Sequence, residues 1–229
     1  MCGRYFVDDG MSEEVKRLVC GLKKEDAGKP GNIYNAGNSE TARVAGARSA
    51  YEGDAARTAG IGGIRDVCPS QQAAVLAADP NLPGTVMVKQ MIWGFPGIQN
   101  KGLLINARAE SALQKKTYRD SILTRRCVIP ASGFYEWNPS KEKFSFERRD
   151  GGVIFMAGCY NWFGEEERFV ILTTAANASA AYVHERMPLV LEANEVERWI
   201  LDDSATEQIL RKVPVELKSR TDYEQMTLF

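Results

Sequence analysis

The sequence predicts a single α+β domain with a mainly antiparallel, curved or barrel-like β-sheet core and flanking helices. Three observations predict it. Eight short runs rich in β-branched or aromatic residues follow one another, most of them separated by Gly, Pro or Asn. Helical periodicity occupies only a few stretches among them, unlike the regular alternation of βαβ units. The chain has 229 residues, 44% apolar and 26% charged, which suits one large globular domain, and no internal repeat divides it.

In chain order, residues 12–24 put Val15, Leu18, Val19 and Leu22 on one stripe behind Ser12 as N-cap, which predicts a short amphipathic helix. Residues 27–63 are rich in Gly, Ala, Arg, Ser and Asn and poor in large apolar side chains, so they read as a mobile insertion or surface loop. Strands are expected at 73–76, 86–93, 126–129, 134–137, 143–147, 153–160, 168–174 and 189–191. Helices are expected at 109–123, 178–183, 195–201 and 206–211, and 216–229 reads as a C-terminal tail.

Composition narrows the function. Twenty-nine basic against thirty acidic residues leave a net charge of -1, so no general field draws polyanions, and nucleic-acid contact requires a local patch. Five cysteines, at 2, 20, 68, 127 and 159, form no C-x-x-C pair, which argues against a zinc ribbon or a disulfide framework. His184 is the single histidine, which excludes His-cluster metal sites; no metal or organic cofactor is expected. Without a signal-like apolar segment or a run of about 18 apolar residues, the protein is expected in the cytoplasm, off the membrane, with reduced thiols.

Cys2 follows the initiator Met, and a small residue there permits Met removal. The processed chain then carries an α-amine and a thiol on one residue, a pair that can trap an aldehyde as a Schiff base and close it to a thiazolidine. Taken alone, an incidental Cys at a frayed end explains position 2 as well. Gly3, Arg4 and Tyr5 add a flexible joint, a phosphate-suited fork and a ring directly behind it.

Asn106, with Arg108, stands where an apolar run enters a helix, and either presents its amide to a site or serves as an ordinary N-cap. Glu136 lies among Phe134, Tyr135 and Trp137, where desolvation would suit it to general-acid work, although an outward strand Glu reads the same way. Trp93 and Phe95 offer either a stacking face for bases or plain core. His184 is either a structural hydrogen-bonding residue or the one imidazole at a site.

Four segments together carry a resemblance that none carries alone. They are Met1-Cys2-Gly3-Arg4-Tyr5; Ile105-Asn106-Ala107-Arg108-Ala109-Glu110; Arg126-Cys127 with Ile129-Pro130-Ala131-Ser132-Gly133-Phe134-Tyr135-Glu136-Trp137; and His184-Glu185-Arg186-Met187-Pro188. In this order they resemble the SRAP (SOS-response-associated peptidase) family over nearly the whole chain. The resemblance implies a positively lined groove for single-stranded DNA and a covalent thiazolidine link between mature Cys2 and the ring-opened aldehyde of an abasic site, shielding the lesion during the damage response near the nucleoid.

It further implies that Cys2 is the nucleophile, that Asn106 positions the amine and the sugar, that Glu136 protonates the ring oxygen, and that His184 assists proton transfer at the aldehyde carbon. Arg4 and Arg108 would grip phosphates, Trp93 and Phe95 would lie near displaced bases, and Met1 would be removed autoproteolytically. The stretch before Asp66 is longer than the family's usual connection, Glu216 to Phe229 replaces its C-terminal strand segment, and Glu185 stands where Asp is common. A noncovalent single-strand binding module and an N-terminal-nucleophile thiol hydrolase are the alternatives. The last residues, Gln225, Met226, Thr227, Leu228 and Phe229, resemble the peptide by which bacterial polymerases and repair proteins dock on the sliding clamp; a disordered or folded-back tail is the other reading.

Overall fold

A computed structural model describes residues 2–11, 15–16, 63–97 and 101–221. The expected helix at 12–24 and insertion at 27–63 lie almost wholly outside these residues, and the segment Gln225 to Phe229 entirely so. Fifteen strands are described: β1 (Arg4–Val7), β2 (Arg65–Val67), β3 (Gln72–Ala78), β4 (Val86–Trp93), β5 (Phe95–Pro96), β6 (Leu103–Leu104), β7 (Asn106–Arg108), β8 (Arg126–Ala131), β9 (Gly133–Trp137), β10 (Lys143–Arg148), β11 (Ile154–Phe163), β12 (Glu166–Ala175), β13 (Arg186–Pro188), β14 (Val190–Leu191) and β15 (Leu217–Thr221). Among the described residues, four α-helices with full bounds accompany them: α1 (Ala109–Ala112), α2 (Lys116–Thr124), α3 (Ala193–Leu201) and α4 (Thr206–Leu210), and residues 9–11 and 15–16 are helical as well.

The architecture is the expected α+β fold with a curved, barrel-like core. β12 pairs with β4, β4 with β3, β3 with β8, β8 with β11, and β11 returns to β12, so five strands close on themselves. Closure removes the free edges of this ring. The β4–β12 pairing is parallel and the rest of the ring is antiparallel. A second, antiparallel sheet runs β15-β10-β9-β1-β2.

Both faces of the ring's wall are buried. One set, including Val75, Met91, Trp93, Ile129, Met156 and Phe169, packs with Tyr5, Phe134 and Phe146 of the second sheet. The alternate set, including Leu76, Val128, Ala157, Val170 and Leu172, packs with Tyr118, Ile122, Val196 and Trp199 of the helices. This explains why Arg126–Ala131 is buried at every position and reads as a continuous run rather than an alternation. Gly133 and Gly158 mark two tight approaches between strands. A Cβ at Gly133 would stand 2.3 Å from Phe6 Cζ and 2.5 Å from the Phe146 carbonyl, and one at Gly158 2.7 Å from the Val170 carbonyl, so backbone leaves no room for a side chain.

Three expectations are corrected. Residues 178–183 form turns rather than a helix, because the Asn177 carboxamide accepts from both the backbone N–H and the hydroxyl of Ser179 and closes an Asx turn. The helix expected over 109–123 is two helices, α1 and α2, divided at residues 113–115 where Gln114 and Lys115 both donate to the Ser111 carbonyl. Within the stretch read as a tail, residues 217–221 are β15, which pairs with β10 from Leu217 to Thr221. Its polar, alternating LKSRT is the pattern of an edge strand.

Candidate active site

Cys2 lies just before β1, which pairs with β9 in the register Arg4 to Tyr135 and Tyr5 to Phe134. Continuing that register one step brings Gly3 opposite Glu136, so Cys2 and Glu136 meet at one end of the β1–β9 pair. Cys2 is fully buried, 0% exposed, and its thiol donates to the Arg4 carbonyl at 3.8 Å. Burial foremost, then the negative charge of Glu136, push this thiol up to about 12. Glu136 is itself only 5% exposed, so it is not an outward strand Glu.

Asn106 joins them from 104 positions away. β7 runs parallel to β12, with Asn106 opposite Ile171, and from there the Asn106 Nδ2 donates to the Cys2 carbonyl at 2.8 Å. Asn106 is therefore not a helix cap: the N-cap of α1 is Arg108, which makes no side-chain cap bond. Asn106 Oδ1 is buried and has no hydrogen-bond partner, and the buried Tyr5 hydroxyl is in the same condition.

His184 approaches on the other side of β12. Thr173 pairs with both Arg108 of β7 and Pro188 of β13, so the two short strands flank opposite edges of β12 at one level. His184 Nδ1 accepts the Arg186 N–H at 2.9 Å, which leaves the proton of the neutral ring on Nε2. Val183 and Met187 beside it belong to the same buried cluster as Cys2. Arg186, also buried, donates to Glu110 Oε2 at 2.9 Å and to the Thr173 carbonyl at 2.6 Å, tying the His184 segment to α1 and β12. That hydrogen bond holds the Glu110 carboxyl below its ordinary range.

Of the expected DNA contacts, Arg4 and Arg108 keep side chains in solvent. Arg4 lies 3.6 Å from Asp66 and 5.7 Å from the centre of the Trp137 ring. Trp93 and Phe95 are corrected: both are 0% exposed. The Trp93 indole donates to the Ile105 carbonyl at 3.0 Å and its ring packs 5.2 Å from Tyr5, so these rings are core and offer no stacking face.

Sequence reasoning passed over the outer side of β9. There Tyr135 and Trp137, alternating with buried Phe134 and Glu136, stand under cations: Arg4 over Trp137, and Lys143 at 3.8 Å over Tyr135. The period-two alternation of Phe134-Tyr135-Glu136-Trp137 was the signal available. It also passed over the Tyr5 hydroxyl. Among the described residues no group of three or more His, Cys, Asp or Glu is placed to hold a metal ion, and no helix is long and apolar enough to cross a membrane.

Residues 1–227 match the family described as SOS response associated peptidase (SRAP). The Escherichia coli K12 protein named abasic site processing protein YedK is 34% identical over 118 residues, covering 48% of this chain and 53% of that protein. Abasic site processing protein YoaM of Bacillus subtilis is 26% identical over 149 residues, covering 59% of this chain and 64% of that one. Abasic site processing protein YMR114C of Saccharomyces cerevisiae is 29% identical over 146 residues, covering 58% and 38%. The matched stretches thus span 38% to 64% of these relatives' own length. The X-ray structure of a phage-related protein from Bordetella bronchiseptica superposes with a TM-score of 0.66 at 18% identity, covering 97% of this chain and 95% of that one, a likeness of fold. With the family match running from the first residue to within two of the last, this chain belongs to the SRAP family.

Proposed function

We propose that the protein processes abasic sites in single-stranded DNA by covalent capture at Cys2. The observation that carries this reading is the bond from Asn106 Nδ2 to the Cys2 carbonyl, which draws a residue far along the chain to the candidate nucleophile where Glu136 also stands. The names of the relatives, abasic site processing proteins, supply the substrate class.

Removal of Met1 by hydrolysis of its peptide bond frees the α-amine of Cys2. The unpartnered Asn106 Oδ1 is an acceptor for that amine's N–H. The Glu136 carboxyl, as general acid, protonates the ring oxygen of the abasic sugar and opens it to the aldehyde. The amine adds to the aldehyde carbon and the adduct loses water to give an imine. The sulfur then adds to the same carbon while its proton passes to the nitrogen, closing the thiazolidine. Met1 leaves as free methionine at the cost of one water, the condensation releases one water, and no electron changes hands.

A thiol pushed up to about 12 stays protonated at neutral pH, so the amine attacks first and the sulfur closes second. The Nε2–H of His184 serves the proton transfers at the carbon. Arg4 and Arg108 are the phosphate contacts. The terminal segment Gln225 to Phe229 remains the candidate for the sliding clamp, tested by pull-down with and without Leu228 and Phe229.

The test is a denaturing gel of protein mixed with an abasic oligonucleotide. Wild type gives a heat-stable shifted band. Cys2→Ala gives none and still binds the DNA, and an uncleaved tag ahead of Met1 also abolishes the band. A band that survives either change rejects Cys2 as the nucleophile; noncovalent binding alone, or turnover of an amide substrate, selects one of the other two readings.

A further inference from the structure

A cleft of about 470 Å³ opens beside the His184 segment, lined by Arg149, Ser179, Tyr182, Leu217, Lys218 and Ser219. Its size is that of a single-ligand pocket. Its walls are stitched together before any ligand arrives. The Ser179 hydroxyl accepts the Leu217 N–H at 3.0 Å, and the Asn177 Nδ2 donates to the carbonyls of Pro214 and Val215 at 2.9 Å each.

Tyr182 is the exception to this tight packing. Its ring is 59% exposed, yet it is held, edge-on to Phe144 at 5.9 Å and by a bond between its hydroxyl and that of Ser219. A large ring kept in solvent and fixed in orientation has lost its rotational freedom in advance, which is what a stacking platform needs.

The platform is continuous with the candidate active site. Phe144 pairs directly with Glu136 across β10 and β9, so the two side chains share a face about 4.8 Å apart along the sheet, and Tyr182 lies next beyond Phe144. Tyr182 is also two residues from His184. The cation at the cleft is lightly held: Arg149 pairs with Glu216 at 2.7 Å with both side chains more than half exposed. An exposed pair of this kind gives way to a phosphate at little cost. Lys218 pairs with Glu147, on the sheet face opposite Ser219 and Tyr182, and takes no part.

We propose that this cleft is a subsite for the nucleotide next to the abasic residue, the base stacking on Tyr182 and the phosphate meeting Arg149. The subsite rests on the abasic-site reading above.

The experiment compares the full-length wild type with Tyr182→Ala, Tyr182→Phe and Arg149→Ala. The probes are single-stranded oligonucleotides with the abasic residue at the centre, at the 5′ end or at the 3′ end, and the readout is the DNA concentration that half-saturates the covalent band. Tyr182→Ala should need at least about fivefold more DNA when nucleotides extend on one particular side, and match wild type when that side is missing. Tyr182→Phe, which keeps the stacking face, should stay near wild type on all three, and Arg149→Ala should lower the salt dependence by about one phosphate contact. A wild type that forms no band refutes the abasic reading and the subsite with it. A wild type that forms the band while Tyr182→Ala matches it on every probe, or is weakened equally on all three, refutes the subsite alone, as does a loss in Tyr182→Phe equal to that in Tyr182→Ala.

Discussion

Arg126 and Cys2 each sit buried at the start or the approach of a strand, and their surroundings complete the hydrogen bonding to different degrees. The Arg126 guanidinium donates to the carbonyls of Ile122 and Leu123 at 3.0 Å, to those of Trp199 and Ile200, and to Asp203 Oδ1 at 2.6 Å. The Trp199 indole next to it donates to the carbonyls of Cys127 and Gly158. Every nitrogen there has an acceptor, and the acceptors belong to α2, α3 and the turn after it, β8 and β11, so the network fastens helices to barrel. Around Cys2, the Tyr5 hydroxyl and the Asn106 Oδ1 are buried with none. A buried polar atom left unmatched costs free energy, so the first network serves the fold, while the second leaves a cost that the proposed function accounts for.

The largest effect that separates them is on stability. Arg126→Ala removes five donor contacts and takes the guanidinium from carbonyls on two helices and from the Asp203 carboxylate, an expected loss of about 3 kcal/mol or more. Urea unfolding measures it. The covalent band formed by the folded fraction should not change, because no Arg126 contact reaches Cys2. A loss below about 1 kcal/mol would mean that the network is ornamental.

The next effect is on the alkaline side. Burial raises Cys2 from an ordinary value near 9.0 to about 12, so the folded chain holds a proton that the unfolded chain gives up earlier. The stability tied to that proton is intact below about pH 9 and lost as pH rises toward 12, with a slope approaching 1.4 kcal/mol per unit within the window. Cys159, also pushed up to about 12, and Cys127, raised as well, contribute in the same direction. Cys2→Ala should therefore lose less stability than wild type between pH 9 and 11, by about 1 to 2 kcal/mol in urea titrations at the two pH values. Parallel pH curves for the two proteins would place the sulfur in contact with water.

How much of this was legible depended on range. The β-branched runs announced β3, β4 and β8 to β12, because half-buried and buried strands share a composition whatever they pair with. The return of β11 to β12 and the parallel β4–β12 pair were not legible, since pairing between distant runs leaves no local mark, and burial on both faces erases alternation. β5, β6 and β7, two or three residues each, are too short to show a period. Asn106 and Glu136 could be nominated by their chemistry; that Asn106 reaches the Cys2 carbonyl instead of capping α1 needed the fold. Trp93 and Phe95 failed as exposed rings because an aromatic beside Gly and Pro looks the same in core and on a surface.

The smallest effect is the most discriminating. Tyr5→Phe removes only the unpartnered hydroxyl and keeps the ring that packs 5.2 Å from Trp93. A hydroxyl matched in the folded protein would make this change cost about 1 kcal/mol, as hydrogen-bond deletions do. An unmatched one should make it neutral or stabilising by up to about 1 kcal/mol, because the variant no longer desolvates a polar group for nothing. Burial foremost, and then the charge of the Cys2 thiolate, raise the Tyr5 phenol, so the same variant reports on the site as well as on the fold. Urea unfolding of the unliganded protein should show Tyr5→Phe at or above wild type. Repeating it on the covalent DNA adduct should reverse the order if the bound lesion supplies the missing partner, and an unchanged order would mean that the Tyr5 hydroxyl stays unmatched in both states and takes no part in binding.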